Sequence, residues 1–198
     1  MTSEALTSTL AMLGRPSARY EAGGWRELES ELGFELPCDY KTIIDAYAPV
    51  CLNEHIYLHH PSAPRWNLRN WIRETVVAWS EVDWDVEISG DPRSVLGLAE
   101  MSFGTRHGLT PLLGTDRGET VFLAQDRDGA SRILVENGEE EFFGPFVTFA
   151  DWLHGYLTGM DVVGPGSGIF YPGPVKFTSL PMTAEDAEDV WYGPDRGM

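Results

Sequence analysis

Apolar residues recur along this chain at helical spacing first, then at strand spacing, then at helical spacing again, and each change marks an element. Leu6, Leu10 and Leu13 repeat between Ser3, a fitting N-cap, and Gly14, which predicts a leading helix over 3–13. Two short amphipathic helices follow within Gly24–Tyr47. Trp25, Leu28, Glu29 and Leu32 keep helical spacing, with Glu27 and Glu31 facing away. Gly33 sits where a helix closes in the left-handed conformation, and Pro37 suits the start of the next helix. Tyr40, Ile43, Ile44 and Tyr47 give that second helix its buried stripe.

His55–Leu58 reads as a short strand, closed by Pro61 and Pro64. The longest helix is expected over 66–82, its stripe formed by Leu68, Trp71, Ile72, Thr75, Val76 and Trp79. Asp83–Arg93 is acidic, turn-rich and poor in apolar residues, so it reads as a surface loop. Residues 95–143 then alternate between short apolar runs and turn signals: Leu109–Leu113, Thr120–Ala124, Arg132–Val135 and Glu140–Phe143. Asp128-Gly129 and Asn137-Gly138 are hairpin signals because both central turn residues need positive φ. An antiparallel meander follows. A closing helix runs over Thr148–Thr158, capped by Thr148 with Asp151 three residues on, and buries Phe149, Trp152, Leu153, Tyr156 and Leu157. From Met160 the chain turns rich in Gly and Pro, which predicts an appended arm, with Gly164–Gly168 as a flexible linker and Phe170, Tyr171, Phe177 and Trp191 as candidates to anchor it against the body.

Composition sharpens this picture in two respects. At 198 residues, 42% hydrophobic and with seven Trp, the chain has enough apolar material for one folded domain plus an extension. The formal net charge is −17, from 14 basic and 31 acidic residues. Such a surface repels phosphate backbones and anionic lipid, which argues against direct nucleic-acid or membrane partners; by itself it reads as a solubility device, and it would also speed association with a basic protein. Cys38 and Cys51, the two cysteines, form no zinc spacing and no disulfide framework. The start of the chain lacks a basic region before its apolar residues, so the expected compartment is the cytoplasm.

Little local chemistry stands out, and no cofactor is expected. Gly164–Gly168 lacks the Lys and Ser of a phosphate loop. Asp126-Arg127-Asp128-Gly129 opens like a calcium loop, but Asn137 stands where the bidentate carboxylate belongs. His55, His59 and His60 cluster, but binding a metal would need a third ligand and a second shell, and they read as partly exposed polar groups at a strand end. A hydrolase would require a pocket in which a His has Asp or Cys within hydrogen-bond reach, since such groups converge only in the fold. The remaining candidates are carboxylates, each of which also suits a solvated edge that resists aggregation: Glu185–Asp189, then Asp83, Asp85 and Glu87, and Glu139, Glu140 and Glu141. The last three follow a turn, so two of them are expected on one side of a strand, facing a partner's Lys and Arg.

Trp25, Glu29, Leu32-Gly33, Leu36-Pro37, Asp39-Tyr40-Lys41 and Tyr47 together resemble the opening signature of the SUKH superfamily, the Smi/Knr-like domains. Trp152 falls in the closing helix that the family's order of elements also contains. The resemblance covers roughly residues 20–160 and departs at Ala48-Pro49, where the family usually has Gly. It implies an α+β domain over 1–160, an antiparallel sheet flanked by helices, with 161–198 as an extension rather than a second domain. It also implies a non-catalytic binding module. Bacterial members look like immunity proteins that bind and neutralise a toxin, often a nuclease, and a −17 charge suits a basic one. Eukaryotic relatives instead suggest a regulatory scaffold for endogenous partners.

Overall fold

The computed structural model describes residues 4–17, 20, 23–84, 87–126, 128–169, 171–183 and 185–197. Six helices are present among them: α1 (Glu4–Leu13), α2 (Trp25–Leu32), α3 (Cys38–Tyr47), α4 (Leu68–Ser80), the single turn α5 (Pro92–Val95) and α6 (Phe149–Leu157). Eight strands form one sheet: β1 (Val50–Leu52), β2 (Ile56–Leu58), β3 (Thr110–Thr115), β4 (Thr120–Gln125), β5 (Ser131–Glu136), β6 (Phe142–Phe146), β7 (Lys176–Ser179) and β8 (Val190–Tyr192). Their order is β6-β5-β4-β3-β2-β1-β7-β8, antiparallel throughout. The protein is a single α+β domain.

Strand alternation divides the apolar side chains of β4 and β5 between two layers. Val121, Leu123, Ile133 and Val135 join the larger core with residues of α1, α2, α3 and α6. Phe122, Ala124 and Leu134 face the other way, into a smaller aromatic core with Trp79, Trp84, Phe103 and Phe142. Trp84 and Ile88 belong to this second core, which corrects the reading of Asp83–Arg93 as mere surface. Their acidic neighbours masked the two apolar anchors. Asp85 and Val86 lie outside the described residues.

The tryptophan-led helix pair sits inside the main core, and its polar residues are what lock it there. Leu28, Leu36, Tyr40, Ile43, Ile44 and Tyr47 are buried. Glu29 Oε1 accepts from the Leu36 N–H (2.8 Å) and from Lys41 Nζ (2.7 Å), tying the corner between the helices to both. Gly33 closes α2 at φ 76°, its N–H donating to the Glu29 carbonyl. Trp25 is only half-buried and donates its indole N–H to Asp45 Oδ1 at 2.9 Å. Tyr40 is fully buried and its hydroxyl donates to the Leu112 carbonyl, joining α3 to β3. Tyr47 donates to the Gly14 carbonyl beyond α1, and Asp39 accepts from the Ala150 N–H at the start of α6. Trp152 is fully buried in α6. The Ala48–Pro49 peptide is cis.

Three short elements depart from the sequence reading. The tail beyond Met160 supplies β7 and β8; β7 pairs with β1, so these residues complete the sheet instead of trailing from it. Val175 and Phe177 are buried, and Trp191 stacks on Phe177 at 5.3 Å. Phe170 lies outside the described residues. Gly164–Gly168 is a pinned loop: Asp161 accepts from the Gly166 and Gly168 N–H groups, and Ser167 Oγ accepts from Val163 N–H. The N–H groups of a would-be phosphate cradle are thus engaged by the chain's own carboxylate. β1, adjoining α3 through two residues, carried no pattern long enough to stand out.

Candidate protein-binding surface

Of the acidic residues singled out from sequence, Glu87 and Glu139–Glu141 meet at the β6 end of the sheet. Glu136, the last residue of β5, is 1% exposed. Its Oε1 accepts from the N–H groups of Gly138 (2.8 Å) and Glu140 (2.7 Å). Asn137 Oδ1 accepts from Glu139 and Glu141, and its Nδ2 donates to Glu141 Oε2. Residues 137–141 are therefore a tightly bonded loop, with Gly138 at φ 86° and Glu140 at φ 63°. β6 begins only at Phe142. The expectation that Glu139–Glu141 lie on a strand is corrected: the Glu136 carboxylate and Asn137 side chain hold them in the turn.

The facing wall is the segment ending at Gly90. Phe142 N–H donates to the Ser89 carbonyl at 2.9 Å. A Cβ on Gly90 would stand 1.9 Å from the Phe142 oxygen, so only glycine permits this approach. Ile88 is anchored in the second core, and Glu87 beside it points to solvent. Glu87, Ser89, Glu139, Glu140 and Glu141 consequently line one open cleft of about 520 Å³, floored in part by Ile88. Among the described residues, no basic side chain lines it. Asp83 is exposed but does not line the cleft, and Asp85 lies outside the described residues.

Beneath the loop, burial raises the Glu136 carboxyl above its usual range, while the N–H groups of Gly138 and Glu140 pull it back. Its Oε2 has no protein partner. Glu136 and Ser89 went unnoticed in sequence, because a Glu ending an apolar strand carries no local sign of burial.

The histidines are placed differently from expectation. His59 and His60 are buried, not exposed. His59 stacks between Trp66 (5.8 Å) and Trp71 (5.3 Å), and burial pushes its imidazole down to about 4. His60 accepts from Ser62 N–H and faces Asp45 at 3.5 Å; burial lowers its basicity against the opposing pull of that carboxylate. His55 Nδ1 meets Asp116 Oδ1 at 2.6 Å, while Arg117 lies 3.0 Å from Nε2 and also donates to the Tyr171 hydroxyl. This is a histidine–carboxylate pair within bonding reach, but the guanidinium caps the nitrogen lone pair that a general base would use. Its work is to tie the tail to the β3–β4 turn. Among the described residues, no group of three His, Cys, Asp or Glu is placed to hold a metal ion. Asp126 accepts from Asp128 and Ala130 and pairs with Arg132, as a hairpin turn.

Neither a protein-family model, nor a curated protein, nor a solved structure matches the chain. Among the described residues no helix is long and apolar enough to cross a membrane. Cys38 is exposed and Cys51 buried, and both are free thiols.

Proposed function

We propose that the protein is a non-catalytic binding module of the SUKH type, an immunity protein that neutralises a basic toxin. The observation that carries this reading is the convergence of Glu87 with Glu139, Glu140 and Glu141 on one cleft without a lining cation. A net charge of −17 supports it, because long-range attraction speeds encounter with a basic surface. The toxin's chemistry follows from the same carboxylates. A nuclease presents Lys and Arg where phosphates bind, and a rigid row of carboxylates can occupy those places. The bonded loop supports this role, since its backbone is already ordered before a partner arrives.

The test is capture of partners on the immobilised chain, with mass spectrometry of what is retained, beside a Glu87→Lys/Glu140→Lys variant. The expected partner is a basic protein whose affinity falls steeply as salt rises from about 50 to about 300 mM. Retention should be lost in the double variant. An acidic partner, or binding indifferent to salt and to both substitutions, would overturn the proposal.

A further inference from the structure

The two ends of the sheet are finished in opposite ways. At the β6 end, the segment before Gly90 covers the edge through the Phe142–Ser89 bond, Pro145 has no N–H to offer, and the pairing with β5 shifts register. These are the usual protections of an edge strand. At the β8 end, among the described residues, no segment bonds to the outer edge and no proline or register shift interrupts the strand, although the chain after α1 packs beside Gly193 just past it. Ser179 N–H donates to the Asp189 carbonyl and Gly193 N–H to the Val175 carbonyl, with Phe177 opposite Trp191 midway between them. Bonded and non-bonded pairs alternate along an antiparallel ladder. Thr178–Val190 and Lys176–Tyr192 are therefore the non-bonded pairs, and the N–H and C=O groups of Val190 and Tyr192 point away from β7.

The side chains at those two positions are also the exposed apolar ones, Val190 at 48% and Tyr192 at 61%. The register puts them on the sheet face of Lys176, Thr178, Cys51 and Tyr57, opposite to the core residues Phe177 and Leu52. Charge indicates what would lie beside them. Glu185 and Glu188 precede β8 and Asp195 follows it, all exposed. Among the described residues, Lys176 on this face is paired with Glu54, Arg196 is spent on the carbonyls of Leu157, Tyr171 and Gly173, and Arg15 stands near the Gly193 end, away from Glu185 and Glu188.

We infer that β8 is a docking edge that takes an extended, Lys- and Arg-bearing segment of a partner protein as a ninth, antiparallel or parallel strand. Backbone bonds to Val190 and Tyr192 hold the segment, its alternate apolar side chains cover theirs, and its basic ends meet the flanking carboxylates. This edge is at the far end of the sheet from the acidic cleft, and the inference holds for any protein supplying such a segment, whether or not it is a toxin.

A short synthetic peptide of alternating Val and Thr with Lys at both ends tests this against the full, ¹⁵N-labelled chain. The amides of Val190 and Tyr192 should shift and exchange with solvent at least about tenfold more slowly when the peptide is bound. The same peptide N-methylated at alternate residues should not bind, and a version with Glu at both ends should bind at least about tenfold more weakly at low salt. Val190→Pro removes a donor that the ladder to β7 does not use, so it should keep the fold and lose the peptide. If that variant unfolds, the N-methylated peptide decides on the unaltered chain. Equal binding of the N-methylated or Glu-ended peptide would overturn the inference, as would unchanged Val190 and Tyr192 amides. Protection that grows with protein concentration alone would also overturn it, by assigning the edge to a second copy of this chain.

Discussion

His59 shows how a residue's chemistry is set by neighbours far from it in sequence. Between the rings of Trp66 and Trp71 its imidazole is 5% exposed, and burial holds it down at about 4. The unfolded chain takes up a proton there near the ordinary imidazole value, about 6.5, and the folded chain does not. The stability His59 contributes is therefore full above about pH 6.5 and is lost as pH falls toward about 4. His59→Phe keeps a ring between the indoles and should remove up to about 3 kcal/mol of acid destabilisation over that interval, read from urea unfolding at several pH values. Glu136 acts with the opposite sign. Its folded carboxyl is raised by burial, so stability declines as pH rises from the ordinary carboxyl range through the folded value. Glu136→Gln retains an oxygen for Gly138 and Glu140 and should be at least as stable as the parent at pH 7.5, losing that advantage in acid. A variant clearly weaker than the parent at pH 7.5 would show that the ionised form is the one the loop needs. Neither effect was legible locally. The partners of His59 come from the turn before α4 and from α4 itself, and Glu136 differs from an exposed strand end only by its surroundings.

Among the elements, those made by near neighbours were readable and those made by distant ones were not. The α6 cap was plain in sequence: Thr148 Oγ1 accepts from the Asp151 N–H at 3.1 Å and donates to its carboxylate. Asp39 supplies a second cap from α3, which no local pattern announces. Thr148→Ala and Asp39→Ala should each cost about 1 kcal/mol in chemical unfolding, and a full cycle should reveal coupling because both serve one helix end. The hairpins around Asp128-Gly129 and Asn137-Gly138 also stood out, although only the glycines take the positive φ expected of both central residues and each connection is a longer loop; β1, β7 and β8, three or four residues each, are too short to show a period. Their pairing is nonetheless structural. A chain ended at Met160 would expose β1 and remove Val175, Phe177 and Trp191 from the core. It should lose its cooperative unfolding transition and its near-ultraviolet dichroism. A truncated chain that melts like the parent would show that the tail is dispensable.

On the scale of the whole molecule, charge and sheet architecture act on different properties. A net charge of −17 repels itself within one compact body, so the folded state should gain stability as salt screens that repulsion. Calorimetry between about 10 and about 200 mM salt should record a melting temperature that rises by a few degrees, on the order of 1 kcal/mol. The same salt should weaken any basic partner, which separates the two roles of the charge in one series of measurements. The sign and size of this charge were available from composition. The assembly of four carboxylates at one cleft was not, because Glu87 and Glu139 are joined only through the Ser89–Phe142 contact.

The pairing of β1 with β7 also dictates an order of events during synthesis. Asn53 accepts from the Lys176 N–H across 123 positions of chain, at the end of the β1–β7 ladder. As the polypeptide leaves the ribosome, the first strand has one side filled by β2 and the other bare until the 123 positions that separate Asn53 from Lys176 have been translated. Completion of the sheet thereby waits for β7, and a product stalled before it carries a sticky, half-finished sheet that quality control can recognise.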